Sequence, residues 1–379
     1  MQNNGRDRKE VLEDLERILA KDPKYDDGKI LSSMCTKPQS IARIAHQMFL
    51  SSNLGDPGLF KGSRRLEQEI IYKLAYLLKN KTATGFIVSG GTEANLLALW
   101  AARNKAKVNH PELIIPESAH FSFDKICNLL NVRPIRVELD KDYRVLPEII
   151  ESHINSQTIA MVGTVGTSEL GAVDPIAQLS KIAFVHNVHL HVDAAFGGLV
   201  IPFLGSSAQD DLSFDFRLEG VKSITVDPHK MGMSTIPAGG VLFKDQTLLD
   251  CIKTEAPYLT ETLQYTLIGT RSAASTAATW AVFESLGFEG FKKTIKRCMA
   301  LTNFLSKEIE KLDFQLVTKP TLNIVAFRTS NSKKTVENLQ KLGWFVSYIP
   351  RLDCLRVIIM PHLRKRHLVL FLRDLQKIE

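Results

Sequence analysis

Ser223-Ile224-Thr225-Val226-Asp227-Pro228-His229-Lys230 is a β-rich, largely apolar run that ends in a histidine–lysine pair. Upstream, Val188-His189-Leu190-His191-Val192-Asp193-Ala194-Ala195-Phe196-Gly197-Gly198 is a second such run, ending at an acid followed by small residues. Working outward from these two, strands and helices alternate from Thr84 onward. The candidate strands are Gly85–Val88, Leu113–Ile115, Pro134–Val137, Ile159–Gly163, His189–Val192, Ser223–Val226 and Gly239–Phe243. Several are continuous apolar runs, as expected for strands covered by helices on both faces. The alternation predicts an α/β fold with a mostly parallel, seven-stranded sheet. Ligands bind such sheets beyond the carboxyl ends of the strands, where Gly90-Gly91, His120, Asp193 and Lys230 fall.

The flanks read differently. Val11–Ala20 predicts a short amphipathic helix with Val11, Leu12, Leu15, Ile18 and Leu19 on one side. Asn53–Gly62 is too rich in glycine and proline for a strand. Past Leu286 the pattern predicts a helix over Phe291–Leu312, a strand at Leu322–Phe327 and a helix near Val336–Leu342. Strands at Trp344–Ile349 and Leu355–Met360 and a last helix at Leu363–Ile378 follow. This is a smaller α+β domain. The expected division is an arm and substrate-side loop over 1–62, a large domain over 63–286 and a small one over 287–379. No linker-like composition separates the last two, so they should share an interface.

Composition excludes several classes. The chain has 379 residues, 44% hydrophobic and 23% charged, which is ordinary for a globular protein. Its net charge of +7 is spread along the sequence, so a nucleic-acid partner is not expected. The basic run Arg364-Lys365-Arg366-His367 reads as a solvated helix face. The mild positive balance favours an anionic cofactor or substrate. Five cysteines without a Cys-x-x-Cys pair argue for a reducing compartment, against disulfides and against zinc. No apolar run reaches the about 18 residues that span a bilayer. Met1–Asp7 lacks the apolar core of a signal peptide, so a cytoplasmic protein is expected and a membrane partner is not.

The residues at the strand ends suit one cofactor, pyridoxal phosphate: a lysine for the aldehyde, a carboxylate for the pyridine nitrogen and a glycine turn for the phosphate. A lysine is ordinarily a solvated surface residue, but Lys230 directly after a buried strand is poorly placed for solubility. Burial there should lower its pKa and supply the neutral amine. His229 beside it could donate to a phosphate oxygen. Asp193 reads either as a turn or cap carboxylate or as the partner of a pyridinium. Ala194 and Ala195 leave room for a ring against the backbone. Ser89-Gly90-Gly91-Thr92-Glu93 follows a strand and opens a helix, where backbone N–H groups bind phosphate; a serine cap explains it nearly as well. His120 follows another strand and is a candidate to stack on the ring. His189 and His191 alternate on a strand, but no further ligands complete a metal site.

These segments carry a resemblance. NLGDPGLFKG (53–62), SGGTEANL (89–96), AHFSF (119–123), HVDAAFGGLVIPF (191–203), DPHKMG (227–232), APYLTET (256–262) and GTR (269–271) are similar to those of the group II pyridoxal-phosphate decarboxylases. Within them the chain most resembles the archaeal L-tyrosine/L-aspartate decarboxylases of methanofuran and coenzyme A biosynthesis. The likeness covers nearly the whole chain. It implies a fold-type I, aspartate aminotransferase-like enzyme that converts L-tyrosine to tyramine, or L-aspartate to β-alanine, with loss of CO2. It also implies Lys230 as the Schiff-base lysine, Asp193 on the pyridine nitrogen and His120 on the ring. Gly91, Thr92 and His229 would hold the phosphate, and Thr167 would sit near the ring hydroxyl. Gly269 and Thr270 would reach the phosphate of a second subunit, which implies a homodimer with shared sites. Arg356 would meet the substrate carboxylate. Phe60 and Lys61 are candidates for a tyrosine and an aspartate side chain respectively. The N-terminal extension and the long catalytic loop of animal members are not evident. The competing readings are a carbon–carbon lyase like sphingosine-phosphate lyase and a non-catalytic cofactor-binding regulator.

Overall fold

The computed structural model describes residues 4–379; Met1, Gln2 and Asn3, which open the Met1–Asp7 segment read above as lacking a signal-peptide core, lie outside the described residues. Seven strands form the main sheet. They are β1 (Thr84–Val88), β2 (Glu112–Pro116), β3 (Arg133–Val137), β4 (Thr158–Thr164), β5 (His189–Asp193), β6 (Val221–Val226) and β7 (Gly239–Phe243). Their order is β1-β7-β6-β5-β4-β2-β3. β7 runs antiparallel to both neighbours and the remaining pairs are parallel. Every residue of β5 and β7 is buried, as the reading of strands covered on both faces requires.

The helix Gly91–Ala106 lies against β4, β5, β6 and β7. Nine of its residues are buried, Asn95 and Glu93 among them. This helix decides the site, because its first turn stands above the carboxyl ends of the central strands. β5 alternates as a strand must: His189, His191 and Asp193 share one face, and Leu190 and Val192 share the other. Register places Asp193 beside Thr164 of β4 and Thr225 of β6, and His191 beside Ser223.

Beyond β7 a short hairpin, β8 (Thr254–Glu255) with β9 (Leu263–Gln264), precedes one long helix, Ala274–Lys311. Gly287 breaks that helix at φ 55° and ψ −172°. A second sheet follows, with β10 (Gln315–Leu316), β11 (Ile324–Arg328), β12 (Ser347–Ile349) and β13 (Cys354–Ile358) in the antiparallel order β10-β11-β13-β12. The short β10 is missing from the sequence reading because two residues carry no periodicity. The closing helix is Lys365–Ile378, with Arg364, Lys365 and Arg366 exposed at its start. The N-terminal segment crosses to this second sheet: Leu31 N–H donates to Phe345 O at 2.9 Å and Ile358 N–H donates to Leu31 O at 2.7 Å. One apolar core runs from Leu31 through Leu190 and Ile224 to Leu355 and Phe371.

The first helix, Arg8–Leu19, forms as its periodicity predicts, but none of its residues is buried. Its apolar side ranges from 40% exposed at Val11 to 66% at Leu19. Among the described residues that stripe covers nothing in its own chain. No helix among them is long and apolar enough to cross a membrane.

Candidate active site

The ends of β1, β2, β4, β5 and β6 surround a cavity of about 290 Å3. Its lining includes Gly90, Gly91 and Thr92 from the turn, His120, Asp193, Ala195, His229 and Lys230. The structure therefore brings together, from four separate strand ends, most of the residues singled out in the sequence.

The glycine turn is built for close approach. Gly90 has φ 145°, a conformation that side chains rarely adopt, and Gly239 at the start of β7 packs so tightly that a Cβ there would lie 2.4 Å from Gly90 Cα. A Cβ on Gly91 would lie 2.9 Å from Asp227 Oδ2. No side chain caps the helix that begins here. Ser89 is not the cap that the sequence allowed; its hydroxyl and N–H both donate to Glu93 Oε2, at 2.6 and 2.8 Å. The first-turn N–H groups are left for an anion. His229 borders the same turn, with Nδ1–H donating to Ala238 O at 2.6 Å. Burial holds its imidazole below the ordinary histidine range, against the pull of Asp227. To donate through Nε2 it must take up a second proton, which a phosphate dianion beside it favours.

Lys230 is 18% exposed, and its Nζ lies 3.0 Å from Asp227 Oδ2. Here the sequence expectation is overturned. Burial does pull its pKa down, but Asp227 and Asp193 outweigh burial and hold the ammonium above the ordinary lysine range. Asp227 stands three residues earlier, and the turn after β6 folds it back onto the amine. A lysine read as an isolated buried group could not reveal that partner.

Asp193 is buried, and each of its oxygens takes one donor: Ala195 N–H to Oδ1 at 3.1 Å and Asn95 Nδ2 to Oδ2 at 3.0 Å. His120 is held by Ser122, with Nδ1 2.9 Å from Oγ. Burial lowers its pKa, with Asp193 opposing, so the ring is neutral and apolar enough to lie on another ring. Beneath Asp193, His191 and His189 bond Ser223 Oγ at 2.9 and 2.7 Å. The two histidines thus serve the sheet interior, and no group of three or more metal-binding side chains occurs among the described residues.

That buried pair gives a testable pH dependence. Burial lowers His191 to about 4, with Asp193 opposing, and burial holds His189 well below its usual value. Both pKa values are lower in the folded than in the unfolded chain. Their contribution to stability is therefore present above the unfolded value and lost as pH falls through the folded one. For His191 the window runs from about 6.5 down to about 4, and the expected loss is about 3 kcal/mol. Denaturant titrations over this window should show it, and a flat profile would contradict the buried neutral rings.

Six sequence candidates, Arg356 among them, do not line the cavity. Thr167 is buried nearby, but its Oγ1 accepts from Ala172 N at 3.1 Å within its own turn. Gly166, Ser168 and Thr164 face the cavity instead. Phe60 and Lys61 open the helix Lys61–Leu77, and Gly269 and Thr270 are exposed on the loop before Ala274. The two loops are fastened together: Asn53 Oδ1 accepts from Arg271 N at 3.1 Å, and Asp56 Oδ1 accepts from Thr260 N at 3.2 Å. Arg271 turns inward to Glu67, 2.6 Å away, and to Ile87 O at 2.9 Å. The loop's arginine is thus a part-buried anchor of its own chain.

Arg356 stands behind the cavity rim. It donates to Ser168 O, to Ser32 O at 3.0 Å and to Ser347 Oγ at 2.8 Å. Its Nε has no partner, so N–H groups remain for a carboxylate. Three buried oxygens that line the cavity, Glu93 Oε1, Thr164 Oγ1 and Asp227 Oδ1, also lack partners in the chain. Buried polar atoms are ordinarily paired, and here they point to a polar occupant. A lysine, a buried carboxylate, a flat histidine and an uncapped helix start fit pyridoxal phosphate in each of its parts. Asn95, Asp227, Thr164 and Met34 belong to the site without having been picked from the sequence. Only Asn95 carried a signal, as an amide on the inner side of a helix otherwise filled by Ala94, Leu97, Ala98 and Ala101.

Comparison with known proteins agrees with this geometry. The pyridoxal-dependent decarboxylase conserved domain matches residues 62–330. A probable L-tyrosine/L-aspartate decarboxylase of Methanothermobacter thermautotrophicus is 49% identical over 356 residues, covering 93% of this chain and 98% of the relative. The L-aspartate decarboxylase of Thermococcus kodakarensis is 46% identical over 377 residues, covering 99% and 98%. Among solved structures, the sphingosine-1-phosphate lyase of Burkholderia pseudomallei superposes with a TM-score of 0.92 at 26% identity, over 100% of this chain and 91% of that one. The glutamate decarboxylase of Lactobacillus brevis reaches 0.91 at 21%, over 100% and 93%, a likeness of fold. The main sheet is that of the fold-type I pyridoxal-phosphate enzymes, and this chain belongs to the pyridoxal-dependent decarboxylase family, with pyridoxal phosphate as its cofactor.

Proposed function

We propose that the enzyme decarboxylates L-aspartate to β-alanine, L-tyrosine to tyramine, or both, with release of CO2. The observation that carries this reading is the cavity of about 290 Å3 that gathers Lys230, Asp193, His120 and the uncapped helix start. Relatives named for aspartate and for tyrosine support both substrates. On the same resemblance, the products would feed coenzyme A and methanofuran biosynthesis. A cytoplasmic setting is supported by five cysteines that are all free thiols.

Bound pyridoxal phosphate supplies the electron sink for the pair left when the bond from Cα to the carboxylate breaks. The chain's own residues orient and hold. Gly91, Thr92 and His229 would hold the phosphate at the helix start, and His120 and Ala195 would confine the ring. Asp193 would meet the pyridine nitrogen. Arg356, through its spare N–H groups, would orient the substrate carboxylate. Lys230 would be the amine that holds the cofactor's aldehyde, and Asp227 positions its Nζ. A screen of CO2 release over all L-amino acids tests the reading. Aspartate, tyrosine or both should be fastest. Release from neither would reject the reading, and release of an aldehyde in place of CO2 would favour the carbon–carbon lyase.

We further propose a homodimer with shared sites. Its support is the exposed apolar stripe of the first helix and the exposed Leu59, Tyr258, Leu267 and Ile268 on the two fastened loops. Phe60, Lys61, Gly269 and Thr270 have no cavity to serve in their own chain, which is how residues that complete a partner's site look. A Lys230→Ala chain mixed with a Thr270→Trp chain and reassembled should regain partial activity, since one site of the mixed dimer receives two intact halves. No recovery despite proven subunit exchange, or a fully active monomer, would reject shared sites. Arg271 must be left unchanged in this test, because it anchors its own chain.

A further inference from the structure

Asn95 lies on the inner face of the helix Gly91–Ala106, 1% exposed, and bonds four side chains that carry or support the chemistry. Its Oδ1 accepts from Thr225 Oγ1 at 2.7 Å and from His191 Nε2 at 3.0 Å. Its Nδ2 donates to Asp193 Oδ2 at 3.0 Å and, more weakly, to Ser122 Oγ at 3.4 Å, the hydroxyl that also meets His120. The amide cannot be turned over. A flipped side chain would set its oxygen against the Asp193 carboxylate and its NH2 against the Thr225 and His191 donors.

With the amide fixed, the rest of the chain of bonds has one polarity. His191 must carry its proton on Nε2, so its Nδ1 accepts, and the donor is Ser223 Oγ–H at 2.9 Å. Ser223 Oγ then accepts from His189 Nε2–H at 2.7 Å. His189 Nδ1 is left as a bare lone pair, and it is the one ring nitrogen of this set without a partner. Every proton from His189 through Ser223, His191 and Asn95 therefore points toward Asp193. Aligned bonds in a buried setting polarise one another in the same sense. His189, His191 and Ser223 are all buried, so water does not compete for these bonds.

We propose that Asn95 is the positioning residue for the cofactor's pyridine nitrogen: its NH2 locks Asp193 in the orientation that meets the ring, and His191, Ser223 and His189 lock the amide. This rests on the assignment of Asp193 to that nitrogen. Asn95 acts through Asp193 and does not itself line up with the reacting bond. Its loss should therefore be felt at one atom of the cofactor, the ring nitrogen, and not at the phosphate or the aldehyde.

The full-length enzyme, stripped and reloaded, can be titrated with pyridoxal phosphate and with its 1-deaza analogue, in which C–H replaces the ring nitrogen. Wild type should prefer the natural cofactor by about tenfold to a hundredfold, the range for a hydrogen bond to a charged group. Asn95→Ala should lose about tenfold of that preference while its affinity for the deaza analogue stays near wild type. Asn95→Leu keeps the volume but removes the donor, and it should lose the preference as well; it serves if the alanine variant folds poorly. In the wild-type complex the 15N resonance of labelled cofactor should report a protonated ring nitrogen, and in both variants it should move toward the unprotonated position. A preference ratio unchanged in both variants, even with both affinities reduced together, would overturn the proposal and leave Asn95 a packing residue. A wild type indifferent to the ring nitrogen would instead overturn the Asp193 assignment beneath it.

Discussion

Lys230→Ala leaves a folded protein that still admits pyridoxal phosphate reversibly but no longer releases CO2 at a useful rate. The loss should be about a hundredfold or more, because the amine proposed to hold the cofactor's aldehyde is gone and misplacement of a reacting group alone costs about 10²-fold. Lys230 is the one amine that lines the cavity. Its removal should not unfold the chain, since Nζ makes one ion pair, with Asp227. That pair has a second consequence. Asp227 is 1% exposed and one of its oxygens already lacks a partner, so the variant leaves a buried carboxylate unbalanced and should lose some stability. Combining the change with Asp227→Asn should restore stability without restoring turnover. CO2 release by the reloaded variant and its denaturation midpoint measure the two effects separately. Near-wild-type turnover in Lys230→Ala would show that the amine is a bystander.

Asp193→Ala should keep the fold and lose most of the activity. Removing one partner of a buried charge pair costs about 3–5 kcal/mol, which corresponds to roughly two to three and a half orders of magnitude in an equilibrium or a rate. Part should appear as weaker cofactor retention, and part as slower decarboxylation, because the ring nitrogen loses the group that keeps its proton. The effect should exceed that of Asn95→Ala, which disturbs the same carboxylate only in its orientation. Cofactor dissociation constants and turnover at saturating cofactor separate the two parts. Wild-type turnover in cofactor-loaded Asp193→Ala would make the acid a turn residue.

The fold was largely legible because the main-sheet strands are short apolar runs between helical stretches, and each falls within two residues of its expected place. Lys230, Asp193 and His120 were legible for the same reason: a polar residue directly beyond a buried strand has the ligand end of the sheet as its place. What failed to show were contacts made by folding back or across. Asp227 reverses the expected shift of Lys230 from three residues away, through a turn whose course no pattern specifies. Asn95 faces inward from a helix, where its partners on β5 and β6 are 96 and 130 residues distant. Thr167 looked well placed, yet the turn closes on its hydroxyl and presents its neighbours instead. Leu15 and Ile18 fit a helical stripe correctly, but periodicity cannot say whether its cover comes from the same chain. Arg356 entered through the family resemblance alone, since an arginine within a strand carries no local signal of what it meets.

Borohydride reduction of the cofactor-loaded enzyme, followed by mass mapping of its peptides, tests the central claim most directly, because it asks the chain which atom holds the cofactor. The account predicts one reduced pyridoxyl adduct, on Lys230 in the peptide that contains Asp227-Pro228-His229. An adduct on any other lysine, or a loaded enzyme that yields none, would contradict it.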